Sequence, residues 1–382
     1  MDKNALQEYV ITLRRDFHRY PELSGKEERT CARICEELRK MGIPFEIAGD
    51  KNVIGRIENG PGKRIAFRAD FDALPVAEQV DVPWKSEVPG CMHACGHDAH
   101  AACLLGAAML FLEYREQWGG TIYLCFQQGE ESGLGAEDCV RYLQAQGGVD
   151  AVFSAHMMSI LPPGVINLQA GTRANGAIVF HIDIQGKGGH GARPDVAISA
   201  AEIMCDIYQQ LLRIPSNHHE AAKTCVISPC VLHSGTRFNV IPDEAVIGGT
   251  IRFLSMEDGE ILMDRVRETA EKMAAFHGGF AQVRFEAMSS YPVVNDAEMS
   301  AVGRRAAEAA GFKLFDMPHS SASDNFAEFL HAFPGFYCFV GSQSDRPGTS
   351  GVHHAPNFDL DESVLPRLSE FFWETVKELQ NS

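Results

Sequence analysis

The chain has 382 residues, with 34 Lys and Arg against 51 Asp and Glu, and a formal net charge of −17. That length fits two domains, or one domain with a large insertion, and 45% hydrophobic with 22% charged residues is a globular composition. The acidic balance argues against nucleic acid and anionic membrane as partners, because both require a basic surface.

Apolar residues at helical spacing predict helices over 5–18 and 26–41, followed by short strands at 45–47 and 53–57. Residues 64–70 (RIAFRAD) read as a buried strand whose acidic end reaches a site. A helix over 97–114, a strand at 121–126, a helix at 136–144 and a strand at 151–155 complete an alternation that implies a mostly parallel sheet covered by helices on both faces. After about residue 172 the pattern changes. Residues 178–185 (IVFHIDIQ) alternate in period two, as a half-exposed antiparallel strand does. A helix at 197–213, strands at 225–233 and 246–253, a helix at 257–276 and a strand at 281–287 follow. Beyond Pro292 come a helix at 297–310, a strand at 335–340 and a final helix at 362–379. The expected architecture is an α/β metal-binding domain, 1–172 and 288–382, interrupted by an inserted α+β dimerisation or lid domain, 173–287.

No apolar run reaches the roughly 18 residues of a membrane span, and the N-terminus reads as an amphipathic helix rather than a secretory signal. The 11 cysteines are odd in number and mostly sit in apolar stretches, as reduced thiols of a cytoplasmic protein would.

Chemistry concentrates in Cys91-Met-His93-Ala-Cys95-Gly-His97-Asp98-Ala-His100, with two Cys and three His in ten residues. A structural zinc site would be closed by four Cys or His ligands without carboxylates. Here neighbouring strand ends supply Asp70, Asp72, Glu130, Glu131 and His156. In a parallel sheet, ligands bind beyond the carboxyl ends of the strands. One thiolate with imidazoles and carboxylates suits divalent Zn, Mn, Co or Ni, and more than four donors implies two ions. The adjacent glutamates face one site only from an irregular loop, and Gln127-Gln-Gly129-Glu-Glu-Ser-Gly133 is such a loop. His93 and His100 read as supporting residues, His181 as a half-exposed sheet residue, and His218, His219 and His277 as surface. Gly186-Lys-Gly-Gly lacks the second half of a phosphate loop.

The chain resembles the di-metal aminoacylase family of N-acyl amino acid amidohydrolases, which includes hippurate hydrolase and the indole-acetyl amino acid hydrolases. The resemblance rests on Phe17-His-Arg-Tyr-Pro-Glu-Leu-Ser24, Arg68-Ala-Asp-Phe-Asp-Ala-Leu-Pro75, Met92-His-Ala-Cys-Gly-His-Asp-Ala-His100, Glu130-Glu131 and His156. It continues through Gly186-Lys-Gly-Gly-His190, Asn239-Val-Ile-Pro-Asp243, Gly249-Thr-Ile-Arg252 and His354-Ala-Pro-Asn-Phe358. It implies Cys95 as a thiolate bridging two divalent ions, His97 and His156 on one ion, and Glu131 and His354 on the other. Glu130 is then the general base and acid, Asp72 orients an imidazole ligand, and Asp70 supports it less directly. His190, in the insert, donates to the oxyanion, while Arg252 with Asn239 grips the substrate carboxylate. His354 is preferred over its neighbour His353 because of its spacing to Pro356 and Phe358.

The resemblance further implies a small-molecule N-acyl amino acid substrate, and a homodimer or homotetramer in which His190 reaches a neighbour's metals. The sequence departs from the family pattern at Gln128-Gly129, at Met157-Met158, at Asp195 where a second His is common, and at Asp324-Asn325. None removes a proposed ligand, and the last two bear on specificity. A dipeptidase or aminopeptidase with the same metals, and a metal-dependent binding protein on a retired scaffold, are the alternatives. A retired enzyme is expected to lose Glu130 or a ligand first, and all are present.

Overall fold

A computed structural model describes residues 3–217, 224–289 and 291–380; His218 and His219 lie outside them. The chain divides into two compact units, one of Met1–Arg173, Val293–Pro318 and Glu328–Ser382, the other of Ala174–Pro292 and His319–Ala327.

In the first unit, helices α1 (Lys3–Arg19) and α2 (Glu28–Lys40) precede strands β1 (Phe45–Ala48), β2 (Asn52–Asn59) and β3 (Arg64–Asp70). Then come α3 (His97–Glu113), β4 (Gly120–Gln127), α4 (Ala136–Ala145), β5 (Ala151–Met158), β6 (Val165–Asn167) and β7 (Gly171–Ala174). The second unit carries β8 (Gly176–Gln185), β9 (Gly189–His190), α5 (Ala200–Leu211), α6 (Ile214–Asn217), β10 (Val226–Ser234), β11 (Val240–Ile241), β12 (Glu244–Phe253), α7 (Met256–Phe276) and β13 (Phe280–Ser289). The chain closes with β14 (Val293–Asn295), α8 (Ala297–Ala309), β15 (Lys313–Leu314), α9 (Ala327–Ala332), β16 (Gly335–Gly341) and α10 (Leu365–Gln380).

The main sheet has the order β1-β2-β4-β3-β5-β16-β6-β15. Its centre, β4-β3-β5-β16, is parallel, as the strand–helix alternation requires, while β1, β2 and β6 add antiparallel pairings. The sheet is therefore mixed. The β6 and β15 segments are two or three residues long, too short to leave a periodic signal. Helix α1 buries Leu6, Val10, Leu13 and Phe17 at three- and four-residue intervals, and α3 is buried on nearly every side, so these two form the helical layer nearest the chemistry. Each such fully buried large side chain contributes about 1.5–3 kcal/mol.

The second unit has a four-stranded antiparallel sheet, β10-β12-β8-β13. Ile178, Phe180, Ile182 and Ile184 of β8 face a core shared with Ile203 and Ile207 of α5 and Leu262 and Val266 of α7. Helix α5 starts three residues later than its apolar pattern implies. Ile198 is held extended by a bridge to Lys187, and the Ser199 hydroxyl accepts the Glu202 N–H at 3.3 Å to cap the helix. The last helix likewise starts at Leu365, after a 3-10 turn over Glu362–Val364 capped by Asp361.

Candidate metal centre

The four central strands all end at one edge of the first unit. Strand β3 ends in Asp70 with Asp72 just beyond it, beyond β4 lie Glu130 and Glu131, near the end of β5 His156, and beyond β16 the loop with His353 and His354. Gly96 introduces α3 from above, with φ +93°, so that Cys95 and His97 enter the same space. A Cβ at Gly96 would stand 3.1 Å from the Met157 Cβ, in a conformation that side chains rarely adopt.

Each side chain is oriented by a named partner. His97 donates from Nδ1 to Asp72 Oδ1 at 3.0 Å, so its Nε2 faces the cluster. That Nε2 is buried with no hydrogen-bond partner, 3.8 Å from Asp70 Oδ2 and 3.9 Å from Glu131 Oε1. Asp72 also accepts the Ser24 hydroxyl at 2.7 Å and the Glu131 N–H at 3.1 Å, so one carboxylate fixes two would-be ligands. His156 donates from Nδ1 to the Met157 carbonyl at 2.7 Å, which leaves Nε2 to face the Cys95 Sγ at 3.5 Å. Glu131 Oε1 has His354 Nε2 at 3.2 Å but hydrogen-bonds to no group.

Glu130 and Glu131 occupy a single 3-10 turn between Gly129 at φ +65° and Gly133 at φ +71°. This is how consecutive residues come to share a site, and a side chain at Gly129 would meet the Leu134 Cβ at 2.8 Å. Donor atoms of His97, Glu130 and Glu131 lie within 4.8 Å of one another, as do those of Cys95, Glu131 and His354. His100 is close as well, but both its nitrogens are taken. Nδ1 donates to Asp70 at 2.5 Å, and Nε2 accepts the Met157 N–H at 2.9 Å, so it supports the site without a free lone pair. His93 is buried with neither ring nitrogen partnered, and Cys91 is buried.

The electrostatics of these donors pull in opposite directions. Burial pushes the Cys95 thiol well above its usual range; His97 opposes this, while Glu131 and Glu130 add to it. Burial disfavours a charged His97, yet the Asp70 carboxylate and Cys95 overcome it and hold the ring well above its usual range. Burial pushes His156 well below, reinforced by His100 and His353. The Glu131 carboxylate raises His354. A site that holds protons on some donors and strips them from others, with ring nitrogens turned inward, fits divalent ions shared between thiolate, imidazole and carboxylate.

Residues 66–378 match the model of Peptidase family M20/M25/M40. The chain belongs to this family. It is 37% identical over 369 residues to thermostable carboxypeptidase 2 of Saccharolobus solfataricus, covering 95% of this chain and 93% of that protein. It is 35% identical over 382 residues to N-acetylcysteine deacetylase of Bacillus subtilis, covering 98% and 97%. A crystal structure of a dinuclear metal-binding M20 peptidase from Bacillus subtilis superposes with a TM-score of 0.85 at 31% identity, covering 99% of each chain. As an M20 protein, the chain is a metal-dependent amidohydrolase acting on amide bonds, with two divalent ions at its centre.

The other residues singled out in this M20 sequence lie in the second unit. His190 is exposed on β9, paired with Val240. Its Nδ1 accepts the Ala192 N–H at 3.1 Å, so the ring proton is on the outward Nε2. The Asn239 carbonyl accepts the Gly191 N–H at 2.9 Å, so His190 and Asn239 share one loop cluster. Arg252 lies near the far end of β12, opposite Ala177, with a guanidinium nitrogen donating to Ser323 Oγ at 2.8 Å. No carboxylate among the described residues pairs with Arg252. From Glu244 to Arg252 is eight residues of continuous strand, roughly 26 Å at the ordinary rise. Asn239 lies in the loop that precedes the Glu244 end of that strand, and Arg252 lies near the other end. His277 is not a free surface group, since its Nε2 meets Asp206 at 2.8 Å. Asp195 is held by both ends of the Arg193 fork at 2.9 Å.

Sequence reasoning passed over Ser24 and His353. The first lies in a matched string without an assigned role, and the second was set aside for its neighbour.

Proposed function

We propose that this chain hydrolyses N-acyl amino acids, releasing a carboxylic acid and a free amino acid. The observation that carries the substrate class is Arg252, a half-buried guanidinium with a hydroxyl and, among the described residues, no acid for a partner. Burial of an unpaired cation is costly, and its planar fork suits an incoming carboxylate. Cys95, His97 and His156 hold one divalent ion, and Cys95, Glu131 and His354 the other; Zn, Mn, Co and Ni all suit that donor set. Bound there, the ions supply Lewis-acid polarisation of the amide and lower the pKa of water.

Glu130, in its rigid turn, takes the proton from the attacking water and returns it to the leaving nitrogen. Asp72 keeps His97 in one tautomer and orientation. His190 donates Nε2–H to the tetrahedral oxyanion, a contribution of about 3–4 kcal/mol in comparable sites. Because roughly 26 Å of β12 separates Arg252 from the His190–Asn239 end, a substrate touching both is held by two copies of the chain. The second unit is then a dimerisation domain, and the assembly is a homodimer or a pair of them. Eleven free cysteines fit a cytoplasmic setting.

A panel of acetyl-, benzoyl- and aminoacyl-capped amino acids, assayed with and without chelator, tests the reading. Acylated substrates turn over and free-amine dipeptides do not; full activity in a metal-free preparation would overturn it. Glu130→Gln keeps its metals and loses about 100–10,000-fold in rate, whereas Glu131→Gln loses metal. For the shared site, a Glu130→Gln subunit is exchanged with a His190→Ala subunit. Mixed dimers hold one intact site, so activity returns to about a quarter of wild type. Demonstrated exchange without recovery places His190 in its own chain's site or in none.

A further inference from the structure

His353 and His354 are consecutive, yet both rings reach the cluster. His354 is the only non-glycine among the described residues with positive φ, at +65°. Such a backbone costs about 1–3 kcal/mol and persists where its surroundings enforce it. Here the His354 N–H is tied to the Ala94 carbonyl at 2.8 Å, just before Cys95, and the Pro356 carbonyl accepts the Gln79 N–H at 2.7 Å. The left-handed turn sends His354 towards Glu131 and His353 towards the opposite side, with its Nδ1 3.5 Å from Cys95 Sγ and its ring 5.4 Å from that of His156.

The bland reading is a packing residue, since the His353 ring also lies 5.2 Å from that of Phe358. A packing histidine normally satisfies its nitrogens. Among the described residues, the Nδ1 of His353 has the Cys95 thiol as its hydrogen-bonding contact, and its Nε2 is buried without one. The distances also match a metal polyhedron. Sulfur at about 2.3 Å and nitrogen at about 2.0–2.1 Å from one tetrahedral ion stand about 3.6 Å apart. Both His156 Nε2 and His353 Nδ1 lie 3.5 Å from Cys95 Sγ, and donor atoms of all three residues lie within 4.8 Å of one another.

We propose that His353 is a further protein ligand of the ion held by Cys95, His97 and His156, giving that ion one more protein donor than its neighbour. The ion at Glu131 and His354 keeps only three protein donors, Cys95 included. The inference rests on the two-ion centre proposed above and makes the two positions unequal. An added protein donor strengthens the hold on an ion. The first ion is held tightly and organises the site. The second exchanges readily and faces the substrate.

The test uses the full-length protein loaded with Co(II), with metal content and visible absorption followed as a chelator is titrated in. In wild type, one ion per chain leaves first and the second resists. In His353→Leu and in the smaller polar His353→Asn, the resistant ion becomes at least about tenfold easier to remove, and its ligand-field bands shift. In His354→Ala it is the labile ion that is lost, with the resistant bands retained. Two ions that still leave in wild-type order from both His353 variants, with an unchanged spectrum, would overturn the proposal. So would wild-type ions of equal affinity. If Cys95→Ala still binds both ions as wild type does, the two-ion centre itself fails, a result separable from the behaviour of His353.

Discussion

Two buried polar clusters meet at the start of α3, on the consecutive residues His97 and Asp98. On the Asp98 side, Arg14 donates to Asp98 at 2.8 Å and to Glu362 at 3.2 Å, while His18 joins Asp98 at 2.7 Å to Glu78 at 3.2 Å. No polar atom of Arg14, His18 or Asp98 lacks a partner. On the His97 side, His97 Nε2 and His353 Nε2 are buried without a hydrogen bond, and Glu131 Oε1 has only the His354 ring beside it at 3.2 Å. A cluster that satisfies itself anchors the helix. A cluster that leaves lone pairs over is built for something brought from outside. Burial of charged groups is thus no sign of function until the partners have been counted.

The largest expected effect is on the self-satisfied side. Arg14→Met leaves Asp98 buried without its cation and costs about 3–5 kcal/mol of stability, read by urea unfolding. A loss below about 1 kcal/mol would mean that the pair anchors nothing. On the other side, stability is lent by the ligand. Metal at about 100-fold over Kd raises the stability of the metal-free protein by about 2.7 kcal/mol, and Cys95→Ala collapses that gain. An equal gain in both proteins would place the ions elsewhere.

Glu27 sharpens the contrast through pH. It accepts the Gly129 N–H at 2.8 Å with one oxygen, while the other is buried and unpartnered, and burial raises its pKa to about 7. The folded state therefore prefers the protonated acid. Its ionisation begins to cost stability as pH rises above the unfolded value of about 4.5, and the cost is complete above about 7. Glu27→Gln is then more stable than wild type by at most about 3 kcal/mol at pH 8, and equal to it at pH 4.

Asp98 has the opposite sign. Burial opposes its charge, but Arg14 and His18 win and hold it below the usual carboxylate range. Its contribution is present above about pH 4 and lost as pH falls through the lower folded value. Asp98→Asn flattens the acid limb of the stability curve, and an unchanged limb would remove Asp98 from the anchor. The smallest effect is expected at the exposed Arg193–Asp195 pair, where Asp195→Asn leaves the thermal midpoint unmoved.

The sequence by itself determined the strand–helix order, because runs such as RIAFRAD and IVFHIDIQ carry their period in a few residues. It also placed Asp70, Asp72, Glu130, Glu131 and His156 at strand ends, because a parallel sheet gathers those ends on one edge. The tertiary structure alone decided the rest. His353 and His354 are indistinguishable as letters, and only the left-handed backbone at His354, fixed by Ala94, turns both towards the cluster. Arg252 and Asn239 are 13 positions apart in sequence, yet Asn239 lies in the loop before one end of β12 and Arg252 near its other end. Segment His319–Ala327 joins the second unit although it follows the resumed helix–strand alternation, with Asn175 N–H bonded to the Ala322 carbonyl at 2.9 Å. Periodicity reports which face of an element is buried. It carries no information about which distant backbone supplies the partner, and that pairing decides which lone pairs are spent and which are left for a ligand.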